Sequence, residues 1–190
     1  MIHAVQERFP QHLIATHHFC GQQTVLLKRE GLLEVAQFLR DDPAMRFDFL
    51  MDLSAVDYLK FGKAARSAPT LATPAPLPYY MTPKPVTETW QRLVGEEYRF
   101  EVVSHLYSSR DNRRLRLKVP LTLADPAIAS LTGLWASANW FEREIWDLFG
   151  IVFTGHPHLT RILLYEEFMG HPLRKDYPIR KRQPLIGPTN

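Results

Sequence analysis

Cysteine is nearly absent from the chain, which has one, Cys20, among its 190 residues. A single cysteine excludes an internal disulfide, and one thiolate alone cannot hold an iron–sulfur cluster. His18 and Phe19 stand beside Cys20, but sequence adjacency does not indicate a nucleophile, because the fold sets a thiol's catalytic partners. We therefore predict that Cys20 is a small, buried or half-buried thiol.

Long apolar runs are absent as well. No stretch of about 18 apolar residues occurs, so no segment is predicted to cross a bilayer. The N-terminal region lacks the basic-then-apolar order of a signal peptide and contains His12, His17 and His18 instead. The composition, 45% hydrophobic and 23% charged, is that of a globular protein. We expect a chain that is not exported and that resides in a reducing, cytosol-side compartment.

The positive charge is concentrated at one end of the chain. The formal net charge is +3, and the stretch from His156 to Asn190 holds six basic and three acidic residues. This stretch therefore carries the whole excess. It could meet RNA, an acidic lipid surface or an acidic protein, and charge alone does not choose among them.

The first half of the sequence is typical of an α+β unit. Residues 1–13 show weak helical periodicity, and Thr24–Lys28 is predicted to be a short strand. Apolar residues recur at helical spacing over 32–39, and Asp41–Pro43 ends that pattern. A second strand followed by a turn is predicted within Phe47–Tyr58.

Proline interrupts the pattern between Leu59 and Val94. Prolines recur from Pro69 to Pro85, and each removes a backbone donor and fixes φ. We predict a surface insertion over residues 59–94, extended or partly disordered. Tyr79–Met81 could anchor its middle, and a passive loop is an equal alternative.

A β-hairpin is predicted after the insertion. Apolar and polar residues alternate over Tyr98–Leu106 and again over Leu115–Val119, with a turn at Ser109–Arg113. This period of two predicts one apolar face for the core and one largely basic face for solvent or a partner. Asp125–Pro126 is expected to open a helix that runs to about Trp135.

The segment Ser137–Gly150 is predicted to form a helix with defined ends. Asn139 can serve as the N-cap, with Glu142 three residues later in the capping-box arrangement. Gly150 stands where a left-handed C-cap residue is expected. The residues predicted to face the core from this helix are Phe141, Ile145, Leu148 and Phe149.

The charged residues of this helix allow two interpretations. The helix has three carboxylates, Glu142, Glu144 and Asp147, and paired acids could perform acid–base catalysis or bind Mg²⁺. Adjacent helical residues point in different directions, however, and Arg143 can reach Asp147 across one turn. A structural or interface network of ion pairs is therefore the favoured hypothesis.

Two Gly-His-Pro motifs follow the helix. His156, His158 and His171 could be considered as zinc ligands, but no cysteine or nearby carboxylate completes a tetrahedral set. We predict instead that each motif is a turn whose imidazole hydrogen-bonds to the backbone.

The helix and the loop after it contain three short motifs in succession: Glu142–Glu144, Asp147–Ile151 and Gly155–Pro157. They resemble the signature of the 30 kDa (C) subunit family of respiratory complex I, the NADH:quinone oxidoreductase. The resemblance continues in Arg161–Leu163 and Gly170–Pro178 and, more weakly, in Asp52–Tyr58, Val102–Leu106 and Arg116–Val119. It departs from the family at Thr160, where a basic residue is usual, and in the insertion.

The resemblance implies an α+β fold: a two-layer mixed β-sheet with packed helices, plus an extended C-terminal segment. Residues 1–155 would form the core domain, with the surface insertion at 59–94. Residues 156–190 would form an extended basic tail that docks to partner proteins, because a proline-interrupted segment buries too little surface alone.

The function implied is that of a cofactor-free structural subunit in the peripheral arm of a proton-translocating NADH:quinone oxidoreductase. FMN, iron–sulfur clusters and quinone would belong to partner subunits, chiefly the quinone-site (D) subunit and the ferredoxin-like (I) subunit. The chain would lie at the cytoplasmic side of the bacterial membrane, with no catalytic, cofactor or metal site of its own. The signature residues expected to order the helix or contact partners are Glu142, Arg143, Glu144, Asp147, His156, Arg161, His171, Arg174, Lys175 and Asp176.

Three alternatives stay open from the sequence. A related subunit of a membrane-bound hydrogenase or another quinone oxidoreductase would carry the same motifs. A metal-dependent hydrolase would use His156, His158 and the helix acids. A nucleic-acid-binding module would use the basic hairpin face and tail, although aromatic residues do not interleave with the basic positions there.

Overall fold

The computed structural model describes residues 2–59, 97–178, 180 and 183. Apart from Leu59, the insertion predicted for 59–94 lies outside the described residues. Within the described part, the chain contains three α-helices, one single-turn 3-10 helix (Arg29–Gly31) and seven strands. The helices are α1 (Ile2–Arg8), α2 (Leu32–Asp41) and α3 (Ala138–Phe149). The strands are β1 (Leu13–Phe19), β2 (Gln22–Leu27), β3 (Phe49–Asp57), β4 (Tyr98–Ser108), β5 (Arg113–Thr122), β6 (Ala127–Ala129) and β7 (Val152–Thr154).

Five strands form one mixed sheet in the order β1-β2-β5-β4-β3. All neighbours are antiparallel except β2 and β5, which run parallel. The short strands β6 and β7 form a separate parallel pair. The α+β class with a mixed sheet is therefore confirmed.

The three helices pack on one face of the sheet, here called the core face. A single cluster of buried apolar residues joins Val5 of α1, Leu39 of α2 and Ile145 of α3 to the strands. The hairpin contributes to it through pairs such as Leu106 with Leu115. Side chains that alternate with these point to the opposite, outer face, because successive strand residues face opposite sides. The sheet and the helices thus form the two predicted layers.

The predicted hairpin is confirmed, and its outer face bears His105 on β4 and Arg114, Arg116 and Lys118 on β5. That face is less uniformly basic than predicted, since buried Glu101 accepts a hydrogen bond there from Lys118 Nζ at 2.6 Å.

The helix predicted for 125–135 is wrong. Residues 127–129 form β6 and pair in parallel with β7, which places Ile128 beside Phe153 in the core. Leu131–Trp135 then follows as turns. The pairing partner lies more than twenty residues away, so local proline and acid signals could not indicate it.

The prediction of a buried or half-buried Cys20 is also wrong. Cys20 is exposed and forms, with Gly21, the two-residue connection between β1 and β2. Both residues have positive φ, 49° and 78°. Positive φ at both positions of a two-residue connection is the conformation of a type I′ hairpin turn. The thiol is consequently held out from the sheet.

We expect Cys20 to react with a thiol reagent at nearly the same rate in the native and the urea-unfolded chain, because the fold does not shield it. Absorbance with Ellman's reagent measures this, and the chain's single cysteine makes the signal unambiguous. A native rate more than about tenfold below the unfolded rate would contradict the turn geometry.

Candidate protein-docking site

The predicted C-terminal end of helix α3 is confirmed, and its predicted N-terminal cap is wrong. Gly150 is the left-handed C-cap, with φ 72°, as predicted. The capping box is wrong, since the helix starts after Ser137 and no side chain caps its first turn. Asn139 lies inside the helix, and Glu142 turns away from the helix start toward another segment.

Glu142 is fully buried and holds the loop that follows β6. Its carboxylate accepts hydrogen bonds from Ser130 Oγ and from the Leu131 N–H, both at 2.6 Å. Burial raises the pKa of Glu142 to about 7, against the opposing effect of these two donors. No positive charge from the described residues offsets the burial, so the carboxyl keeps its proton well above its ordinary pKa.

Asp147 is equally buried, but its pKa is shifted in the opposite direction to that of Glu142. Its Oδ2 accepts the successive N–H groups of Ile162, Leu163 and Leu164 at 3.1, 2.9 and 2.9 Å. Arg161 Nη1 lies 2.5 Å from Oδ1. Burial opposes the charge, but these donors outweigh it, so the pKa of Asp147 lies below its usual value. One carboxylate therefore fixes a whole turn of irregular chain.

The prediction that Arg143 pairs with Asp147 is wrong. It donates to the carbonyl oxygens of Thr160 and Arg161 at 3.2 and 3.1 Å and to Thr160 Oγ1 at 3.1 Å. Its guanidinium also lies over the Trp140 ring. Thr160, which departs from the family pattern, thus serves as an acceptor within the chain.

The two Gly-His-Pro motifs form turns with imidazole–backbone hydrogen bonds, as predicted. His156 Nε2 lies 3.3 Å from the Asn139 carbonyl oxygen, and its Nδ1 accepts the N–H of His158. His171 Nδ1 lies 2.9 Å from the Asp147 carbonyl oxygen. Across residues 2–59 and 97–178, no group of three His, Cys, Asp or Glu side chains could hold a metal ion.

A second cluster of charges lies where residues 174–176 meet the end of the sheet. Arg99 bonds Asp57 through Nε and Nη2, at 3.1 and 2.8 Å, and bonds Asp176 at 3.0 and 2.7 Å. The Lys175 N–H donates to Asp57 Oδ2 at 2.8 Å. Arg174 Nε donates to the carbonyl of Phe149 at the end of α3. Buried Arg99 thus joins the sheet to the segment after α3.

Sequence reasoning missed Arg99 and Asp57. The register shifts between Tyr98 and Phe100, so Arg99 is the additional residue of a β-bulge, and its guanidinium lies over the Phe100 ring. The resemblance of residues 52–58 to the family was the available signal for Asp57. Nothing in the local sequence indicated the bulge that turns Arg99 toward it.

All ten predicted signature residues lie on α3 or on residues 156–178, here called the tail segment. Nine of them form hydrogen bonds to other segments of the chain, whereas Glu144, exposed on α3, forms none with another described segment. Arg161, Arg174 and Asp176 were expected to contact partners, but their side chains bind the chain's own helix, carbonyl groups and sheet. Lys175 contributes a backbone donor. The tail segment contains neither helix nor strand, yet it is fastened at both ends.

Apolar side chains of the tail segment remain on the surface. Leu163 is 60% exposed and Leu173 is 46% exposed, and Tyr165 and Met169 are exposed as well. We call these four residues the apolar tail surface. A cluster of exposed apolar side chains of this kind is a feature of protein-interaction surfaces.

Comparison with known proteins decides the family. The model of the family described as "Respiratory-chain NADH dehydrogenase, 30 Kd subunit" matches residues 25–183. The chain belongs to this family. The NADH-quinone oxidoreductase C subunit of Citrifermentans bemidjiense is 40% identical over 96% of this chain and 92% of its own length. The corresponding protein of Roseiflexus sp. strain RS-1 is 39% identical over 94% and 83%.

Solved structures agree with this family. A trypsin-resistant fragment of Nqo5 is 32% identical, with a TM-score of 0.53 over 83% of this chain and 98% of the fragment. A chain of the archaeal membrane-bound sulfane sulfur reductase has a TM-score of 0.63 over 94% of this chain and 84% of its own length. At 16% identity that second likeness shows the fold alone.

We expect Asp147→Asn to lower the free energy of unfolding by about 3 kcal/mol, since it leaves the partly buried Arg161 side chain without its counter-charge. Urea unfolding at pH 7 measures the loss, and Glu144→Gln, on the exposed side of α3, is the matched control. In the wild type, the low pKa of Asp147 stabilises the fold above the unfolded pKa, about 3.9. That contribution is lost as the pH falls through the folded pKa. A loss below about 1 kcal/mol in Asp147→Asn would contradict this role.

Glu142 predicts a pH dependence of the opposite sign. Between its ordinary value of 4.5 and about 7, the folded chain keeps a proton that the unfolded chain has released. The contribution of Glu142 to stability should therefore fall as the pH rises through this window, with a slope approaching about 1.4 kcal/mol per pH unit. Glu142→Gln should remove this contribution from the pH dependence of urea unfolding between pH 5 and 8, and Glu144→Gln should keep it. An unchanged slope in Glu142→Gln would assign the dependence to another group.

Proposed function

We propose that this chain is a structural and assembly subunit in the peripheral arm of a proton-translocating NADH:quinone oxidoreductase. Its family membership and the names of its relatives support this role. Its partners would be the other subunits of that complex. We propose the quinone-site subunit as the main contact, with the ferredoxin-like subunit nearby.

The apolar tail surface is the proposed contact with the quinone-site subunit. The tail segment has no regular structure, and isolated segments of this kind lose much conformational entropy on binding. Here Asp147 and Arg99 already hold the backbone in place. Leu163 and Leu173 would then be buried by the neighbour with little further ordering, and each would contribute about half of the roughly 1.5–3 kcal/mol of a fully buried leucine, because about half of each is exposed.

The chain would support the oxidoreductase reaction without performing a step of it. Asp147, Arg161, Asp57 and Arg99 are hydrogen-bonded to backbone or to one another, and the thiol lies in a hairpin turn. FMN, iron–sulfur clusters and quinone would be held by neighbouring subunits. The work of this chain would be to fix the position of the quinone-site subunit.

The proposed place of the chain is peripheral, on the cytoplasmic side of the bacterial membrane. In the part of the chain that the structure describes, no helix combines the length and the apolar character needed to cross a membrane. Attachment to the membrane would therefore run through the neighbouring subunits.

The test is a double substitution, Leu163→Ser with Leu173→Ser, in cells that lack the wild-type chain. We expect the variant to fold, because both side chains are substantially exposed, and to recover the quinone-site subunit at least tenfold less. The loss of two buried leucines on binding accounts for that factor. Affinity purification through a tag on this chain, with mass spectrometry of the recovered subunits, measures it.

Leu123→Ser is the control, because Leu123 is 50% exposed outside the tail segment. Thermal unfolding of each purified variant separates loss of folding from loss of docking. Equal recovery of the quinone-site subunit by the double variant and the control would contradict the proposed surface.

A further inference from the structure

The end of the sheet opposite the tail segment gathers a second set of surface residues. The register pairs Phe49 with Tyr107 and Gln23 with Leu115, so the β1–β2 turn, the β4–β5 turn and the start of β3 share this end. The charge cluster around Arg99 lies at the other end, where Asp57 pairs with Phe100. The nine residues of β3 separate the two ends, a distance of roughly 25 Å at about 3.3 Å per residue.

A cleft of about 420 Å³ opens on the outer face at this end. It spans four strands, and its lining includes side chains from each of them. Six of the lining residues are Gln22 of β2, Met51 and Asp52 of β3, His105 of β4, and Arg114 and Arg116 of β5. All three described helices pack on the core face, so none of them covers this cleft.

Arg116 is held in a fixed orientation inside the cleft. Its Nε donates to His105 Nε2 and its Nη2 donates to Gln22 Oε1, both at 2.9 Å. Because His105 Nε2 accepts, the ring proton is on Nδ1, which lies 3.6 Å from Asp52 Oδ2. Burial, with the charge of Arg116, lowers the pKa of His105 and favours this neutral form. Both acceptors of the guanidinium are therefore uncharged.

The charge of Arg116 thus lacks an acid partner among the described residues, unlike that of Arg99 or Arg161. Arg114 lies exposed in the next cross-strand row, over the ring of Tyr107, and among the described residues it too forms no ion pair. An arginine whose fork is ordered by neutral groups presents its remaining N–H donors to a carboxylate at little entropic cost. This end of the sheet is therefore complementary to negative charge.

Apolar side chains flank the two arginines. Phe49 is 52% exposed and pairs across the strands with Tyr107, and Met51, 39% exposed, lines the cleft. Phe49 shares a cross-strand row with Arg114, and Met51 lines the cleft with Arg116. Aromatic residues, methionine and arginine are the residue types enriched at protein interfaces. We call Phe49, Met51, Arg114 and Arg116 the hairpin-end face.

We infer that the hairpin-end face binds an acidic segment of a second neighbouring subunit, with a carboxylate on Arg116 and Arg114 and an apolar side chain against Phe49 and Met51. The inference rests on the proposed function in one respect, that the chain works inside an assembly of several subunits. It goes beyond that proposal by adding a contact at the end of the sheet that the tail segment does not reach. The chain would then join two neighbours through opposite ends of one sheet.

The experiment places the photo-crosslinking residue p-benzoylphenylalanine at position 49 of the full chain within the assembled complex. We expect irradiation to link this position to one other subunit, at a peptide that contains Asp or Glu beside an apolar residue. Leu33, 42% exposed on α2 in the helix layer, is the control position. The crosslinked peptides are identified by mass spectrometry.

The arginines are tested in the same assay by combining Arg114→Glu with Arg116→Gln. We expect the crosslink at position 49 to fall at least tenfold and the wild-type crosslink to weaken as salt rises, since the contact is electrostatic. Arg8→Glu removes an exposed arginine in the helix layer and should leave the yield unchanged. Thermal unfolding checks that each variant is folded.

Three results would overturn the inference while leaving the tail contact in place. They are a crosslink yield at position 49 no higher than at position 33, a crosslinked peptide without an acidic residue, and a yield unaffected by the arginine substitutions. In each of these three cases, co-purification of the quinone-site subunit with the chain would show that the tail contact is intact. If the wild-type chain recovers no neighbouring subunit at all, the proposed function fails and the inference fails with it.

Discussion

The buried carboxylate of Asp147 is the constraint on which the arrangement of the C-terminal part depends. Its Oδ2 satisfies three consecutive N–H groups, and its Oδ1 pairs with Arg161. A segment without helix or strand has no ladder to satisfy its own backbone, so a side chain must do it. Gly150, the first residue after α3, has φ 72°. A side chain there would not fit, because its Cβ would lie 2.6 Å from the ring of His171. Helix end, turn and returning segment are thus specified together.

Fastening the tail segment at both ends changes what its charged residues can do. Arg161 and Asp176 are used within the chain, at α3 and at Arg99, so the affinity for a neighbour must come from the groups left outside. In the tail segment these groups include the four residues of the apolar tail surface. At the hairpin end the reverse holds, because Arg116 is oriented by neutral acceptors and keeps its charge for a partner. Each end of one rigid sheet therefore offers a different chemistry, which favours different neighbours.

The parts of the fold that the sequence could predict are those with local signals. Periodicity and punctuation located α2, β3, the β4–β5 hairpin and α3, whose end at Gly150 needs only its own backbone. The partners of the site could not be found in this way. Glu142 bonds Ser130 and Leu131, and Arg143 bonds Thr160, at separations of eleven to seventeen residues. The family motifs indicated which residues matter, and only the tertiary fold shows that they bind their own chain.

Two acids five residues apart on one helix illustrate why burial alone does not determine charge. Glu142 has only neutral donors, so burial dominates and raises its pKa to about 7. Asp147 has Arg161 in addition to three N–H donors, and its pKa falls below the usual value. Around neutral pH the contact that holds the tail segment is therefore fully charged, while the contact that holds the loop after β6 titrates. The apolar tail surface depends on the first of these, so its geometry persists wherever Asp147 is ionised. A neighbour that docks there meets a preformed surface and orders little of the chain on binding.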